Sequence, residues 1–391
     1  MKTLNRIASI GFLFLTLSSA FACNEKKKIN TEQRIVHTTQ TLEEIEENTV
    51  QIALLLDTSN SMDGLINQAK SQLWDMVNEF SLAKCGDNSR PNLQIALYQY
   101  GNDNLSADEG YIQQVLDFSS DLDEISEKLF SLTTNGGEEY CGKVIQTSLQ
   151  QLPWNKNPDQ LRLIFIAGNE PFDQGRYNYK NALSNANEKD IVVNTIFCGD
   201  YEQGITTNWK KGASLTGGEY IAIDHNKKIA HINTPYDEII IKLNSKLNTT
   251  YISYGAMGQS KLSAQTKQDN NAYELQEAVA IKRAVSKSSR LYNNKNWDLV
   301  DASENAEFEI ESVDKDELPE ELQNKSIVEI KRYVEAKKTE REKIQNEIQE
   351  YNAKRTAYIS KNHQENSSGE LENAMIQAIK KQAAVKNYSW N

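Results

Sequence analysis

Histidine, cysteine and proline are scarce in this chain of 391 residues, with four, four and six of each. The histidines are His37, His225, His231 and His363, too scattered for H-E-x-x-H or any recognisable nucleophile–base pair. No C-x-x-C or Cys/His cluster occurs, so zinc is not indicated. A Gly-rich phosphate loop is missing as well, and Gly136-Gly137 and Gly217-Gly218 read as turns. Excess positive charge is lacking: the formal net charge is −12, which argues against nucleic acid as a partner. Paired acids such as Glu138-Glu139 could do acid–base work, but nothing suggests a substrate pocket. The expectation is therefore a non-enzyme, with no catalytic residue assigned. Long hydrophobic runs are absent too, and no segment is long enough to span a bilayer.

What is present begins at the amino terminus. Met1 to Ala22 reads as a secretory signal, with Lys2 and Arg6 ahead of the apolar run Ile10–Leu17 and small residues after it. Removing it takes the formal charge from −12 to −14, because residues 1–22 lose two cations and no acid. Ala20-Phe21-Ala22 suits ordinary signal peptidase, while Cys23 stands where a bacterial lipoprotein signal places its lipidated cysteine. The resemblance to a lipobox departs at Ala20, where leucine is usual. It implies a lipid-anchored protein of a bacterial cell envelope, each buried methylene adding about 0.8 kcal/mol. Asn24 carries no recognisable inner-membrane retention signal, which favours the outer membrane over the inner. The alternative is a soluble secreted or periplasmic protein. Residues 24–48 are polar and acidic without an apolar period and read, with Cys23, as a flexible tether.

From 49 to 250 strands and helices alternate. The run Val50–Leu56 is short and wholly apolar, as a strand covered on both faces should be. Leu65, Ile66, Ala69, Leu73, Met76, Val77 and Phe80 then recur at helical spacing. Strands follow at 93–100, 111–118, 161–167, 191–198 and 219–224. Only ten residues separate the second from the third, too few for a helical crossover, so the third should be an antiparallel edge. Helices are expected at 121–132, 140–151 and 176–189, near Trp209, and from Pro235 to Asn248.

Asp57-Thr58-Ser59-Asn60-Ser61 follows the first strand directly, and strand carboxyl ends are where open α/β sheets place ligand sites. Asp57, Ser59 and Ser61 offer three hard oxygens on one turn, the ligand type Mg²⁺ prefers. The same residues could instead cap the following helix. The motif resembles the D-x-S-x-S metal-ion-dependent adhesion site of von Willebrand factor A (VWA) domains. That resemblance covers about half the chain. It implies an α/β, Rossmann-like fold: a mostly parallel six-stranded sheet with one antiparallel edge strand and helices on both faces. It also implies Mg²⁺, or Mn²⁺ or Ca²⁺, held by three loops.

The second loop of such sites carries a threonine after paired glycines, and here Glu138 takes that place after Gly136-Gly137. Thr133 or Thr134 could contribute instead, and Glu138 and Glu139 could simply favour the next helix's dipole. The third loop normally offers an aspartate. This chain has Gly168 there, so Asn169 or Glu170 would have to reach the ion. In this fold Cys141 and Cys198 both lie at the top of the sheet, which makes them the pair to expect if any disulfide forms; three inert buried cysteines are the alternative.

Beyond the A domain, residues 251–262 are rich in Gly and Ser and read as a linker. Residues 263–391 read as an α-helical extension, with Tyr273, Leu275, Ala278, Ile281, Ala284 and Leu291 on one stripe. Asp301–Asp316 is acidic and reads as loop or short strand. A long helix at about 326–360 has a coiled-coil-like heptad seam interrupted by Lys337, Arg341 and Arg355, which suits packing on the 263–293 helix better than a homodimeric coil. A last helix is expected over 370–385. The resemblance thus implies a cell-envelope lipoprotein whose A domain binds a protein partner, through an acidic side chain that completes the metal's ligands. The alternative is a metal-independent structural or assembly lipoprotein; an undetected hydrolase is the remaining class.

Overall fold

Thr49–Asp57 (β1) is aliphatic and β-branched on both faces, and it occupies the middle of a sheet buried from both sides. The computed structural model describes residues 48–60, 62–86, 89–224, 232–362 and 370–390. The expected signal sequence, Cys23 and nearly all of the tether lie outside those residues.

In chain order β1 is followed by α1 (Asp63–Leu82), β2 (Lys84–Cys85), β3 (Asn92–Tyr100), β4 (Ile112–Ser119), α2 (Leu122–Ser131) and α3 (Cys141–Gln151). Next come β5 (Arg162–Gly168), α4 (Tyr179–Glu188), β6 (Val192–Cys198), α5 (Tyr201–Thr206), α6 (Trp209–Ser214), β7 (Tyr220–Ile223) and α7 (Asp237–Asn248). The sheet order is β4-β3-β1-β5-β6-β7, parallel throughout except for β4, the antiparallel edge its short connection predicts.

Alternation along β1 divides the core. Val50, Ile52, Leu54 and Leu56 pack with α1, whose stripe from Leu65 to Phe80 is buried as its spacing predicts. Ala53 and Leu55 pack on the other face against α3 and α4. Asp121 starts α2 by accepting from the N–H groups of Asp123 and Glu124.

The same division corrects the expected disulfide. Cys141 packs in the α3 layer and Cys198 in the α1 layer, so the sheet stands between their side chains. Cys85, Cys141 and Cys198 are all free, buried thiols.

The rest of the described chain is helical: α8 (Gly258–Leu275), α9 (Glu277–Lys287), α10 (Leu299–Ala302), α11 (Glu320–Gln323), α12 (Ile327–Asn362) and α13 (Glu370–Val385), before β8 (Tyr388–Ser389) pairs with β2. The expected 263–293 stripe is broken at Gln276, whose extended backbone (φ −171°) separates α8 from α9 and leaves Tyr273 exposed. The stretch expected as linker already enters α8 at Gly258. The acidic 301–316 stretch forms short 3-10 turns rather than a strand.

On α12, Ile330 and Val334 pack with Leu299, Val300, Leu318 and Leu322, while Ile344 and Ile348 join the α1-side core with Val285 of α9. Arg341, which interrupts the seam, is buried between them. It pairs with Asp298 and Asp301 and donates to the Thr250 hydroxyl (3.0 Å) and carbonyl (2.7 Å). The seam therefore serves this chain's own core. Among the described residues no helix is long and apolar enough to cross a membrane.

Candidate metal centre

Parallel pairing sets Asp57, at the carboxyl end of β1, beside Tyr100 at the end of β3. The chain then turns sharply, and the Ser59 N–H donates to Asp57 Oδ1 at 2.7 Å, with both residues buried. Met62, the N-cap residue of α1, makes no side-chain cap, and Asp57 Oδ1 is taken by the Ser59 N–H instead. Ser61 lies outside the described residues.

The second loop is drawn against this turn by its backbone. The Asn135 N–H donates to the Thr58 carbonyl at 2.9 Å, and Asn102 Nδ2 bridges the carbonyls of Thr58 (3.3 Å) and Thr133 (2.9 Å). Gly137 has to be glycine, because a β-carbon there would lie 2.7 Å from the Gly101 carbonyl oxygen. Of the two glutamates that follow, Glu138 is exposed and Glu139 is 4% exposed, with its N–H held by Gln174 Oε1 at 2.9 Å. The expected ligand Glu138 points to solvent, and its neighbour turns inward. Thr134 is also diverted: its hydroxyl donates to Asp63 at 2.7 Å.

Glu139 meets Asp57. Its carboxyl group lies beside that of Asp57, the Ser59 side chain and the backbone of Glu170. Gly101 (φ +76°) makes room, since a β-carbon there would fall 2.7 Å from Glu139 Cγ and 2.9 Å from Asp57 Oδ1. Burial, and then the charge of Glu139, hold the Asp57 carboxyl well above the usual range. Burial also raises Glu139, although its Asp57, Ser59 and Glu170 backbone neighbours pull the other way. Two carboxylates buried in contact cannot both stay ionised unless a cation joins them; otherwise they share a proton.

The third loop contributes backbone. At Gly168 a β-carbon would lie 2.5 Å from the Tyr100 hydroxyl and 3.2 Å from Asp57 Oδ2, so an aspartate has no space. The Tyr100 hydroxyl donates to the Ala167 carbonyl at 2.9 Å and fills that space. Trp209 Nε1 holds the Glu170 carbonyl at 2.8 Å, while the Glu170 side chain is exposed and Asn169 is half-buried. The exposed Glu170 side chain does not replace the aspartate.

The residues present fit a hard divalent cation. Asp57 Oδ2 and Glu139 Oε2 are both buried without a hydrogen-bond partner. With the Ser59 hydroxyl they form an all-oxygen donor set of the kind that Mg²⁺ completes with water. Among the described residues no group of three or more His, Cys, Asp or Glu side chains gathers as a metal cluster. Three tyrosines border the site: Tyr140 lies 6.2 Å from Tyr111 and 5.3 Å from Tyr177, between ring centroids. Lys143 and Arg176 lie over the Tyr177 ring at 5.0 and 5.4 Å.

Residues 51–211 match the family model of the von Willebrand factor type A domain. Three of the solved structures that resemble the chain illustrate the range. The mussel byssus proximal thread matrix protein 1 with a zinc-occupied MIDAS motif is 14% identical, over 46% of this chain and 43% of that one, with a TM-score of 0.34. The SpRpn10 VWA domain is 14% identical over 45% and 88%, TM-score 0.34. The pilus adhesin SpaC from Lactobacillus rhamnosus GG is 12% identical over 46% and 28%, TM-score 0.35. The match thus spans less than half of the byssus protein's length. No curated protein matches.

Proposed function

We propose that this chain, whose residues 51–211 match the family model of the von Willebrand factor type A domain, is a cell-envelope lipoprotein that captures a protein partner through an atypical adhesion site. The observation that carries the reading is the pair of partnerless carboxylate oxygens, Asp57 Oδ2 and Glu139 Oε2, at the carboxyl end of the sheet. Asp57, Ser59 and Glu139 would hold a divalent cation, Mg²⁺ or Mn²⁺ or Ca²⁺, and the cation would supply a Lewis-acidic point able to take an acidic side chain from the partner. Glu139 replaces both the Glu138 that sequence spacing favours and the third-loop aspartate. The Tyr111, Tyr140 and Tyr177 rim supplies the broad aromatic contact in which interface energy usually concentrates. A lipid on Cys23 would hold the chain to a membrane, the outer one by preference.

Cross-linking from envelopes of cells carrying the full chain tests the reading. A partner should be recovered with Mg²⁺, lost with chelator, and lost in Asp57→Asn and Glu139→Gln. Recovery indifferent to chelator and to both substitutions would favour the metal-independent assembly protein, in which the two carboxyl groups simply share a proton.

A further inference from the structure

Outside the metal centre, three helices bring an amine, a carboxamide and a carboxyl group into contact. Lys287 ends α9, Asn248 ends α7, and Asp269 lies within α8. Lys287 Nζ is 2.5 Å from Asn248 Oδ1, closer than an ordinary N–H···O hydrogen bond, and 2.8 Å from Asp269 Oδ2. The same Oδ2 accepts from Asn248 Nδ2 at 2.7 Å and is steadied by Asn244 Nδ2 at 3.0 Å. One carboxyl oxygen thus touches both the amine and the amide nitrogen, while the amine lies against the amide carbonyl.

Water is kept from the amine. Lys287 is 0% exposed, and the buried rings of Tyr251 and Tyr292 lie 5.9 and 6.0 Å from its Nζ. Burial pulls Lys287 down, against the attraction of Asp269 and with the repulsion of Arg283. A desolvated lysine amine of this kind is a nucleophile once it loses its proton.

Charge can be rearranged here without stranding a cation. Arg283 pairs with Asp123 at 2.7 Å as well as with Asp269 at 2.6 Å. When a Lys287 proton crosses to Asp269 Oδ2, both of those groups are neutral and Arg283 keeps Asp123 as counter-ion. The ion pair is the resting arrangement, and the neutral pair is the reactive one. Held contact with the carboxamide then does what an activated acyl group does in solution.

We infer that Lys287 and Asn248 join in an isopeptide bond, with Asp269 as the proton carrier. Nζ attacks Asn248 Cγ, so that the Nζ–Cγ bond forms and the Cγ–Nδ2 bond breaks. Of the protons on the Lys287 ammonium, one stays on the new amide and the other two pass through Asp269 to Nδ2. Nδ2 leaves as ammonium past the half-buried Asn248, and Asp269 is left ionised beside Arg283. No oxidant or cofactor enters the step. The bond ties the end of α7 to the end of α9, and it owes nothing to the metal centre.

Peptide mass spectrometry of the full chain, purified folded and then denatured and digested with trypsin, tests the inference. Residues 247–261 and 284–290 should appear as one linked peptide, lighter than the sum of the two by one ammonia, with fragments placing the bridge at Asn248 and Lys287. Chelator during purification should leave it unchanged. Asn248→Ala and Asp269→Ala, each checked for fold by circular dichroism, should lose the linked peptide. Free 247–261 from folded wild type would overturn the inference, whether or not the variants fold. Loss of one water, with Lys287 joined to Asp269, would overturn it too, as would a bridge that persists in Asp269→Ala.

Discussion

A β-carbon on Gly168 would fall 2.5 Å from the Tyr100 hydroxyl, so the tyrosine occupies the space that a third-loop aspartate would need. That hydroxyl is fixed by its hydrogen bond to the Ala167 carbonyl, and Tyr100 is fully buried. The site's second carboxylate therefore comes from Glu139, on a different loop, and is held from behind by Gly101.

Restoring the aspartate should harm the protein. Gly168→Asp and Gly168→Ala each force atoms into a filled space, at a cost of about 1–3 kcal/mol. Urea unfolding measures this directly. In a Tyr100→Phe background the Gly168→Ala penalty should shrink, because the hydroxyl in the way is gone. Equal penalties in both backgrounds would place the conflict elsewhere.

Buried charge holds α8 to α9, and Arg283 reaches on to Asp123 of α2 at 2.7 Å. Asp269 of α8 lies 2.6 Å from Arg283 and 2.8 Å from Lys287, and both cations are almost wholly buried. Burial alone would raise the Asp269 carboxyl, but the two cations outweigh it and hold the group far below the usual range. Burial pulls Lys287 down even with that partner. The sign follows from Asp269: as pH falls below about 4 the unfolded chain takes up a proton that the folded one refuses, so stability drops. Asp269→Asn should cost about 3–5 kcal/mol at neutral pH, by leaving two buried cations short of charge. It should also flatten the acid limb of stability against pH, and unfolding curves from pH 3 to 7 decide both.

The three described cysteines should stay reduced and slow to react. Burial raises the thiols of Cys85, Cys141 and Cys198, which depletes the reactive thiolate. Alkylation followed by peptide mass spectrometry should label none of them in the native state and all three in denaturant without reductant. A Cys141–Cys198 linked peptide would contradict the placement of these residues on opposite faces of the sheet.

Much of the fold was legible because periodicity is a local property. The all-apolar run of β1, the α1 stripe and the short β3–β4 connection each announce themselves within a few residues. Asp57 was legible for the same reason, lying directly after its strand. Glu139 was not. Which of two adjacent glutamates turns inward depends on Gly101 and on the Gln174 contact to its N–H, both distant in sequence. The glycine after Tyr100 was the available signal, since glycine at a strand's carboxyl end marks close approach by something else. The disulfide expectation failed because shared height on the sheet says nothing about which face a side chain takes. The heptad of α12 was visible, but its partner was not: Arg341 reads as a flaw in a seam until Asp298 and Asp301 appear opposite it.

Calorimetric titration of the full chain with Mg²⁺ and with Mn²⁺, comparing wild type, Glu138→Gln and Glu139→Gln, tests the central claim most directly. The account predicts one site in wild type, the same site in Glu138→Gln, and its loss or a weakening of at least about tenfold in Glu139→Gln. Unchanged binding in Glu139→Gln, or loss in Glu138→Gln alone, would contradict it.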